Sequence, residues 1–347
     1  MRDSTDFSAE LERLSTSAWA YAALAAALET GLLERLHAPS DPRLVAAELG
    51  IDSELAADLT EALLALGVVD GDAGWVTPTP AFETLCGPSV ARVLQAGIRG
   101  DHVQIQSMLS RLREGGEVVG WDLDDPVALV AQGETGSLIG LLVEALLPRL
   151  DGLAERMGET GARILDVGAG VGVVATELCR LWPEAEAVGL EPHRTARELG
   201  ISRIAAAGLS DRIALRDERL EALGEIGAYD LAFVPQPFLD RASLEEGLPR
   251  IRRALRPGGW LIVLTHELPV DDRPAAAARS FQARIWGGGV IGAGEIAAML
   301  GDAGYGSIRG QYPVGAFRAT CARRPVNEPA AEVVSTLSTG HWNTAAP

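Results

Sequence analysis

Lysine is absent from this chain: all 30 of its basic residues are arginine, against 48 Asp and Glu, for a formal net charge of −18 over 347 residues. The absence excludes a lysine Schiff base to pyridoxal phosphate or a carbonyl substrate, the phosphate-binding lysine of a Walker-A loop and the strand lysine of a protein kinase. Cysteine is scarce as well. Cys86, Cys179 and Cys321 lie far apart, without a C-x-x-C pair or histidine-rich partner, so they read as reduced core residues and no metal site is expected. Basic runs stop at the pairs Arg252-Arg253 and Arg323-Arg324, which offer little to a phosphate backbone or an anionic lipid surface. The opening MRDSTDFSAELERL is acidic and polar where a signal peptide would be basic and then apolar. The apolar stretch nearest to it, 18–28, falls short of the ~20 residues that cross a membrane. A cytoplasmic protein with no nucleic-acid or membrane partner is expected.

What is present divides the chain into four parts. Residues 8–36 carry a helical apolar pattern, expected as two helices with a break at 15–17. Residues 42–50 read as a short helix stopped by Gly50, and Asp52 or Ser53 is placed to cap a helix running to Gly67. VVDGDAGWVTPT then gives two short β-like runs around a tight turn. Helices followed by a hairpin form a winged-helix pattern within 1–100. That region holds 15 acidic and 6 basic side chains, and the helix that would enter a DNA groove carries Glu54, Asp58 and Glu61 but no arginine. Phosphate neutralisation dominates DNA affinity, so dimerisation or covering a substrate is the expected role. A helical connector follows at 101–157, with long apolar periodicity over 127–156. Over 158–324 strands alternate with helices, as in a mostly parallel sheet covered on both faces. The expected strands are 163–167, 185–190, 213–215, 229–234, 260–265, 307–312 and 316–322. Residues 325–347 form a weakly patterned tail.

The informative segment is ARILDVGAGVGVVATELCRLWPEAEAVGLEP. An apolar strand ends at Asp166, and Gly168, Gly170 and Gly172 turn the chain into a helix, letting the backbone approach a ligand closely. A second strand ends in Glu191, 19 positions after Gly172, where a carboxylate accepts hydrogen bonds from ribose hydroxyls. The glycines follow G-x-G-x-G rather than the G-x-G-x-x-G of dinucleotide sites.

I-L-D-V-G-A-G-V-G resembles the first motif of class I S-adenosylmethionine-dependent methyltransferases. The resemblance continues over 163–322. Glu191, with Pro192 beside it, matches the ribose-binding acid. Asp217, followed by Glu218, matches the residue that contacts the adenine amine. Y-D-L-A-F-V-P, ending at Pro235, matches the fourth strand, and L-R-P-G-G-W-L-I-V the turn before the fifth. The resemblance implies a Rossmann-like, seven-stranded α/β methyltransferase domain preceded by a mostly helical winged-helix domain. It also implies S-adenosylmethionine as cofactor, a small-molecule acceptor in secondary metabolism, and a homodimer formed through the N-terminal domain. This layout is similar to that of the small-molecule O-methyltransferases.

One departure stands out. Members of that group place a general-base histidine just after the fourth strand. Counting back 19 positions from Arg256 reaches Pro237, within Pro-Gln-Pro-Phe. His266 and Glu267, after the fifth strand, are the expected replacements, since carboxyl ends of parallel strands face the ligand crevice, and Gln236 is a catalytic-site candidate that would orient the acceptor or line the cofactor. Trp121, Gln132, Glu134 and Trp286 are candidate acceptor-lining residues. His193 is expected to start a helix beside the adenosine. An alternative chemistry, pericyclase- or hydroxylase-like, is compatible with loss of the usual base, because methyl transfer itself asks mainly for alignment and exclusion of water.

Overall fold

The computed structural model describes residues 4–327, apart from 37, 73, 81, 83–87, 115–120, 122–123 and 315. Cys86, His37, His341 and nearly all of the expected tail lie outside the described residues.

The N-terminal half is built mainly of helices: α1 (Ser4–Glu29), α2 (Leu32–Arg35), α3 (Pro42–Leu49) and α4 (Ser53–Ala65). The antiparallel hairpin β1 (Val69–Asp72) and β2 (Trp75–Pro78) follows, then the long α5 (Pro88–Glu114). The expected break at 15–17 does not occur. The Ser17 hydroxyl donates to the Arg13 carbonyl one turn back, 2.8 Å away, so it folds onto α1 instead of capping a new helix. The chain turns instead at Gly31, whose φ of 77° suits a residue without Cβ. Ala27, Leu32, Leu36, Leu59, Leu63 and Val76 form the core of this half.

Next come α6 (Pro126–Glu134), α7 (Ile139–Leu146) and α8 (Leu153–Met157), with 3-10 turns at Thr135–Leu138 and Leu147–Arg149. Pro126–Arg149 is the one described stretch long and apolar enough to cross a membrane by length and composition. It is broken by those two turns, and Ile139, Val143 and Leu146 are packed in the core.

The C-terminal half contains a seven-stranded sheet. Its strands are β3 (Arg163–Val167), β4 (Glu186–Leu190), β5 (Ile213–Arg216), β6 (Tyr229–Pro235), β7 (Leu255–His266), β8 (Gly306–Val314) and β9 (Phe317–Arg323). They lie in the order β5-β4-β3-β6-β7-β9-β8, parallel except for β9, which runs antiparallel to both neighbours. The covering helices are α9 (Val173–Leu181), α10 (Arg194–Ala206), α11 (Arg241–Ala254), α12 (Arg273–Ile285) and α13 (Ala293–Asp302). Side chains alternate across the sheet as the pleat requires: Leu231, Phe233, Trp260 and Ile262 enter one core, while Ala232, Val234, Leu261 and Val263 enter the other.

Part of the acidic excess serves the architecture. Asp41, Asp52, Asp125, Asp240 and Asp272 each cap a helix by accepting backbone N–H bonds, a contact that contributes ~1 kcal/mol. Asp230, buried at the start of β6, accepts from Arg156 at 3.0 Å, Arg256 at 2.6 Å and the Arg163 backbone N–H at 3.0 Å. That clamp ties α8, β3 and β7 to β6.

Candidate functional site

The carboxyl ends of β5, β4, β3, β6 and β7 form one edge of the sheet. Chain order reverses between β3 and β6, and the crevice outside such a switch point is where open α/β sheets bind ligands. Every cofactor-binding and catalytic candidate from the sequence stands at or beyond one of these five strand ends.

At the end of β3, Gly168, Gly170 and Gly172 have φ of 65°, 56° and 76°, a region in which a side chain costs about 1–2 kcal/mol. A Cβ on Gly170 would meet nothing within 4 Å, so the loop leaves open space on that side, a cradle that suits a ligand pressed against backbone. Behind the turn the packing is tight: a Cβ on Gly172 would come within 2.9 Å of Ile204. Asp166 is 1% exposed and accepts from the Ala175 N–H at 3.2 Å. Burial pushes its carboxyl up to about 7, with the Glu191 charge adding to the rise.

Glu191, just past β4, accepts from the Gly170 N–H at 2.7 Å and the His193 N–H at 2.8 Å, one at each oxygen. Burial raises its pKa. Each oxygen keeps a further lone pair for a hydroxyl donor. His193 caps α10 through Nδ1, which accepts from the Ala196 N–H at 3.3 Å, as expected of a helix start. Arg197 donates to the carbonyls of Glu191 and Pro192 and to the Asp217 carboxylate at 2.9 Å, holding the loops after β4 and β5 together. Glu218 lies 3.6 Å from Arg216. A Cβ on Gly168 would touch the Pro235 ring at 3.9 Å, which brings the loop after β6 beside the glycine turn.

On the other side of the switch point, β6 runs into a 3-10 turn, Gln236–Phe238. Gln236 is fully buried. Its Nε2 donates to the Gly288 and Gly289 carbonyls, while Oε1 is buried without a partner. Pro237, where the histidine was counted, accepts the Gly288 N–H at 2.9 Å. His266 ends β7 and is 4% exposed, with neither ring nitrogen hydrogen-bonded. Burial depresses its pKa to about 4, assisted by the Arg279 charge. Glu267, the next residue, stands at the same strand end. The Glu267 carboxylate pairs with Arg318.

His266 lies within a row of rings. Its neighbours are Phe317 at 4.8 Å and Trp286 at 5.1 Å; Trp286 in turn stacks on Phe238 at 5.0 Å, and Trp121 meets Phe238 edge-on at 5.5 Å. The Trp286 indole N–H donates to Gln104 Oε1 at 2.6 Å, and Gln104 Nε2 donates to Gln132 at 2.9 Å. Trp121, Gln132 and Trp286 are thus brought to one place. Glu134 is engaged elsewhere: it pairs with Arg203, accepts from the Ser137 hydroxyl and lines a cavity of ≈ 420 Å³ with Ala96, Arg99 and Val130. Phe238, Phe317 and Gln104 were missed. Phe238 adjoins the Pro237 position and was within reach of sequence reasoning; Phe317 faces His266 only through the β7–β9 pairing.

Comparison with known proteins agrees with this layout. Residues 164–259 match a family described as a methyltransferase domain. A 3-hydroxy-5-methyl-1-naphthoate 3-O-methyltransferase of Streptomyces sahachiroi is 30% identical over 323 residues, spanning 86% of this chain and 90% of that one. Among solved structures, PigF with SAH superposes with a TM-score of 0.66 at 18% identity, covering 93% of this chain and 99% of the other. Human N-acetylserotonin methyltransferase in complex with SAM gives 0.62 at 15% identity, covering 93% and 99%. With one relative aligned over most of both chains, the glycine turn and its acids belong to an S-adenosylmethionine-dependent methyltransferase, the family of this chain, which takes S-adenosylmethionine as cofactor and carries its methyl group to small molecules.

Proposed function

We propose that the chain is a cytoplasmic homodimer that methylates a hydroxyl group on a flat aromatic metabolite of secondary metabolism. The observation that carries this reading is the row of rings, Trp121, Phe238, Trp286, His266 and Phe317, beyond the carboxyl ends of β6 and β7. Such a wall favours a planar ring system laid against it by burial and stacking. The Streptomyces relative, whose name places a hydroxyl on a fused ring, supports the same acceptor class.

In this reading Glu191 receives the ribose hydroxyls, Asp217 and Glu218 stand at the adenine end, and Asp166 and the glycine turn hold the remainder, with Pro192 and Pro235 shaping the walls. The cofactor supplies an already activated methyl group. The protein's share is to align the acceptor oxygen, exclude water and receive the hydroxyl proton. His266 takes that last part: its imidazole is neutral at ordinary pH, and the ring nitrogen that carries no proton is free to accept. Gln236 Oε1 is a second buried acceptor for a donor on the substrate.

Residues 11–19 of α1 are all exposed, among them Leu11, Leu14 and Trp19, with Phe7 one turn further out. An apolar helix face of this kind supports dimerisation through the N-terminal half. The helices α2, α3 and α4 followed by the β1–β2 hairpin support the winged-helix reading, and exposed Glu54, Asp58 and Glu61 on α4 disfavour DNA as its partner. The buried free thiols of Cys179 and Cys321 fit a reducing compartment.

The test incubates the protein with methyl-labelled S-adenosylmethionine and a panel of hydroxynaphthoates, phenols, amines and carbon acceptors. Label on the oxygen of a hydroxynaphthoate or phenol is expected. Label on nitrogen or carbon would overturn the acceptor assignment. Consumption of an acceptor while all label stays in the cofactor would instead favour a reaction other than methylation.

A further inference from the structure

His266 lacks what orients most functional histidines. A working imidazole is ordinarily set by a hydrogen bond at one nitrogen that leaves the other free in a defined direction. Here neither nitrogen has such a partner, and the ring's aromatic contacts are a stack on Phe317 and a tilted contact with Trp286. Stacking fixes the tilt and separation of two rings but tolerates rotation and sliding in the plane, because the attraction varies little along the ring face. The ring stack therefore needs one directional contact to set its register.

That contact is at Trp286. An indole nitrogen can only donate, so the Gln104 oxygen must face it, and the 2.6 Å bond settles which way the Gln104 amide is turned. The amide nitrogen is thereby aimed at Gln132, which accepts it at 2.9 Å. Gln104 is buried, and its bond to the Trp286 indole is made out of water and is expensive to lose. One helical turn before it on α5, Asp101 accepts from Gln282 at 3.2 Å, four residues before Trp286. Helix α5 thus grips α12 and the residue that follows it at two points in matching register.

We propose that Gln104 is a positioning residue for methyl transfer: through the Trp286 indole it sets the in-plane register of the ring stack and so the direction in which the His266 imidazole presents its free nitrogens. This rests on the reading of His266 as the group that faces the acceptor. A helix of the N-terminal half thereby controls a group at a strand end of the sheet, and acceptor chemistry depends on how the two halves are held together.

The test uses the full chain. The chain has seven tryptophans, and Trp286→Phe and His266→Ala identify the Trp286 indole and His266 imidazole resonances by their loss. Gln104→Leu is expected to shift both the Trp286 indole and the His266 imidazole signals. Gln104→Glu, which keeps one oxygen facing the indole while Gln132 turns its amide nitrogen to the other, should restore both. With methyl-labelled S-adenosylmethionine and 3-hydroxy-5-methyl-1-naphthoate, Gln104→Leu should lower kcat about tenfold, as a misplaced reacting group does. It should leave KM for the cofactor unchanged, and it should have no further effect in a His266→Ala background. Movement of the Trp286 signal with the His266 signal unmoved would overturn the proposal, as would equal kcat losses in both backgrounds. If His266→Ala alone leaves turnover intact, the catalytic reading of His266 fails, while the spectra still report whether Gln104 governs the stack.

Discussion

At the scale of single residues, the two buried acids of the cofactor side have separable signatures. Glu191 ties the glycine turn to the loop after β4 through two amide N–H bonds. Glu191→Ala removes the acceptors proposed for the ribose and leaves both amides unpaired, so calorimetry should show cofactor affinity falling by roughly 10–100-fold, the worth of one or two charge-assisted hydrogen bonds. Asp166 should make that affinity depend on pH. Its carboxyl is raised to about 7, and a cationic cofactor favours the ionised form. Affinity should therefore rise as pH climbs toward about 7 and level off above it, and Asp166→Asn should flatten the curve. For the free protein the sign is opposite. The native state holds this proton more tightly than the unfolded chain, so the group's contribution to stability declines from about pH 4 to about pH 7. His266 is displaced the other way, to about 4. It stays unprotonated until pH falls through that value, so the acid limb that His266 gives kcat/KM for the acceptor should lie near pH 4 rather than in the ordinary histidine range of ~6.5.

At the scale of elements, the 3-10 turn after β6 and the glycines after α12 are interlocked. A Cβ on Gly288 would come within 2.3 Å of the Gln236 carbonyl oxygen and 2.5 Å of Pro237 backbone atoms. Neither is the end of a flexible side chain. Gly288→Ala should therefore cost about 1–3 kcal/mol, as overpacking does, visible as a Tm lower by several degrees. It should raise KM for the acceptor more than the Kd for cofactor, because the displaced turn carries Trp286 and Phe238. These elements also show where sequence is informative. The segment 163–167 was legible because an apolar run ending in an acid and three spaced glycines has few other uses, and the seven strands follow from alternation between runs of that kind. The continuity of α1 was not legible, since a serine signals a cap until its hydroxyl is seen turned back on Arg13. The ring stack was only half legible. Trp121, Trp286 and His266 could be singled out as residue types, but Phe317 joins them 51 positions after His266 through an antiparallel strand inserted next to β7. Gln104 looks like any polar residue on a long helix until its amide is found between Trp286 and Gln132.

At the scale of the whole molecule, the outer part of α1 is the largest unexplained feature of the monomer. Trp19 is 76% exposed, and Phe7, Leu11 and Leu14 extend the same apolar character along the helix. Paired with a second copy, these side chains would bury surface worth about 25 cal/mol per Å². Light scattering should therefore give about twice the mass of one chain. A double variant, Leu11→Glu with Trp19→Glu, should give the mass of one chain. A single-chain mass for the unaltered protein would remove the dimer from the proposal.

The Asp230 clamp has a consequence of another kind. Its cations are the guanidinium groups of Arg156 and Arg256, and the chain offers no lysine anywhere to play that part. An ammonium surrenders its proton in mildly caustic solution, whereas guanidinium keeps its charge at any alkalinity a protein survives. The bond holding β6 to its neighbours is thus insensitive to base, and it gives reagents that acylate or carbamylate side-chain amines nothing to attack. Alkaline inactivation of this protein must begin somewhere other than its ionic framework.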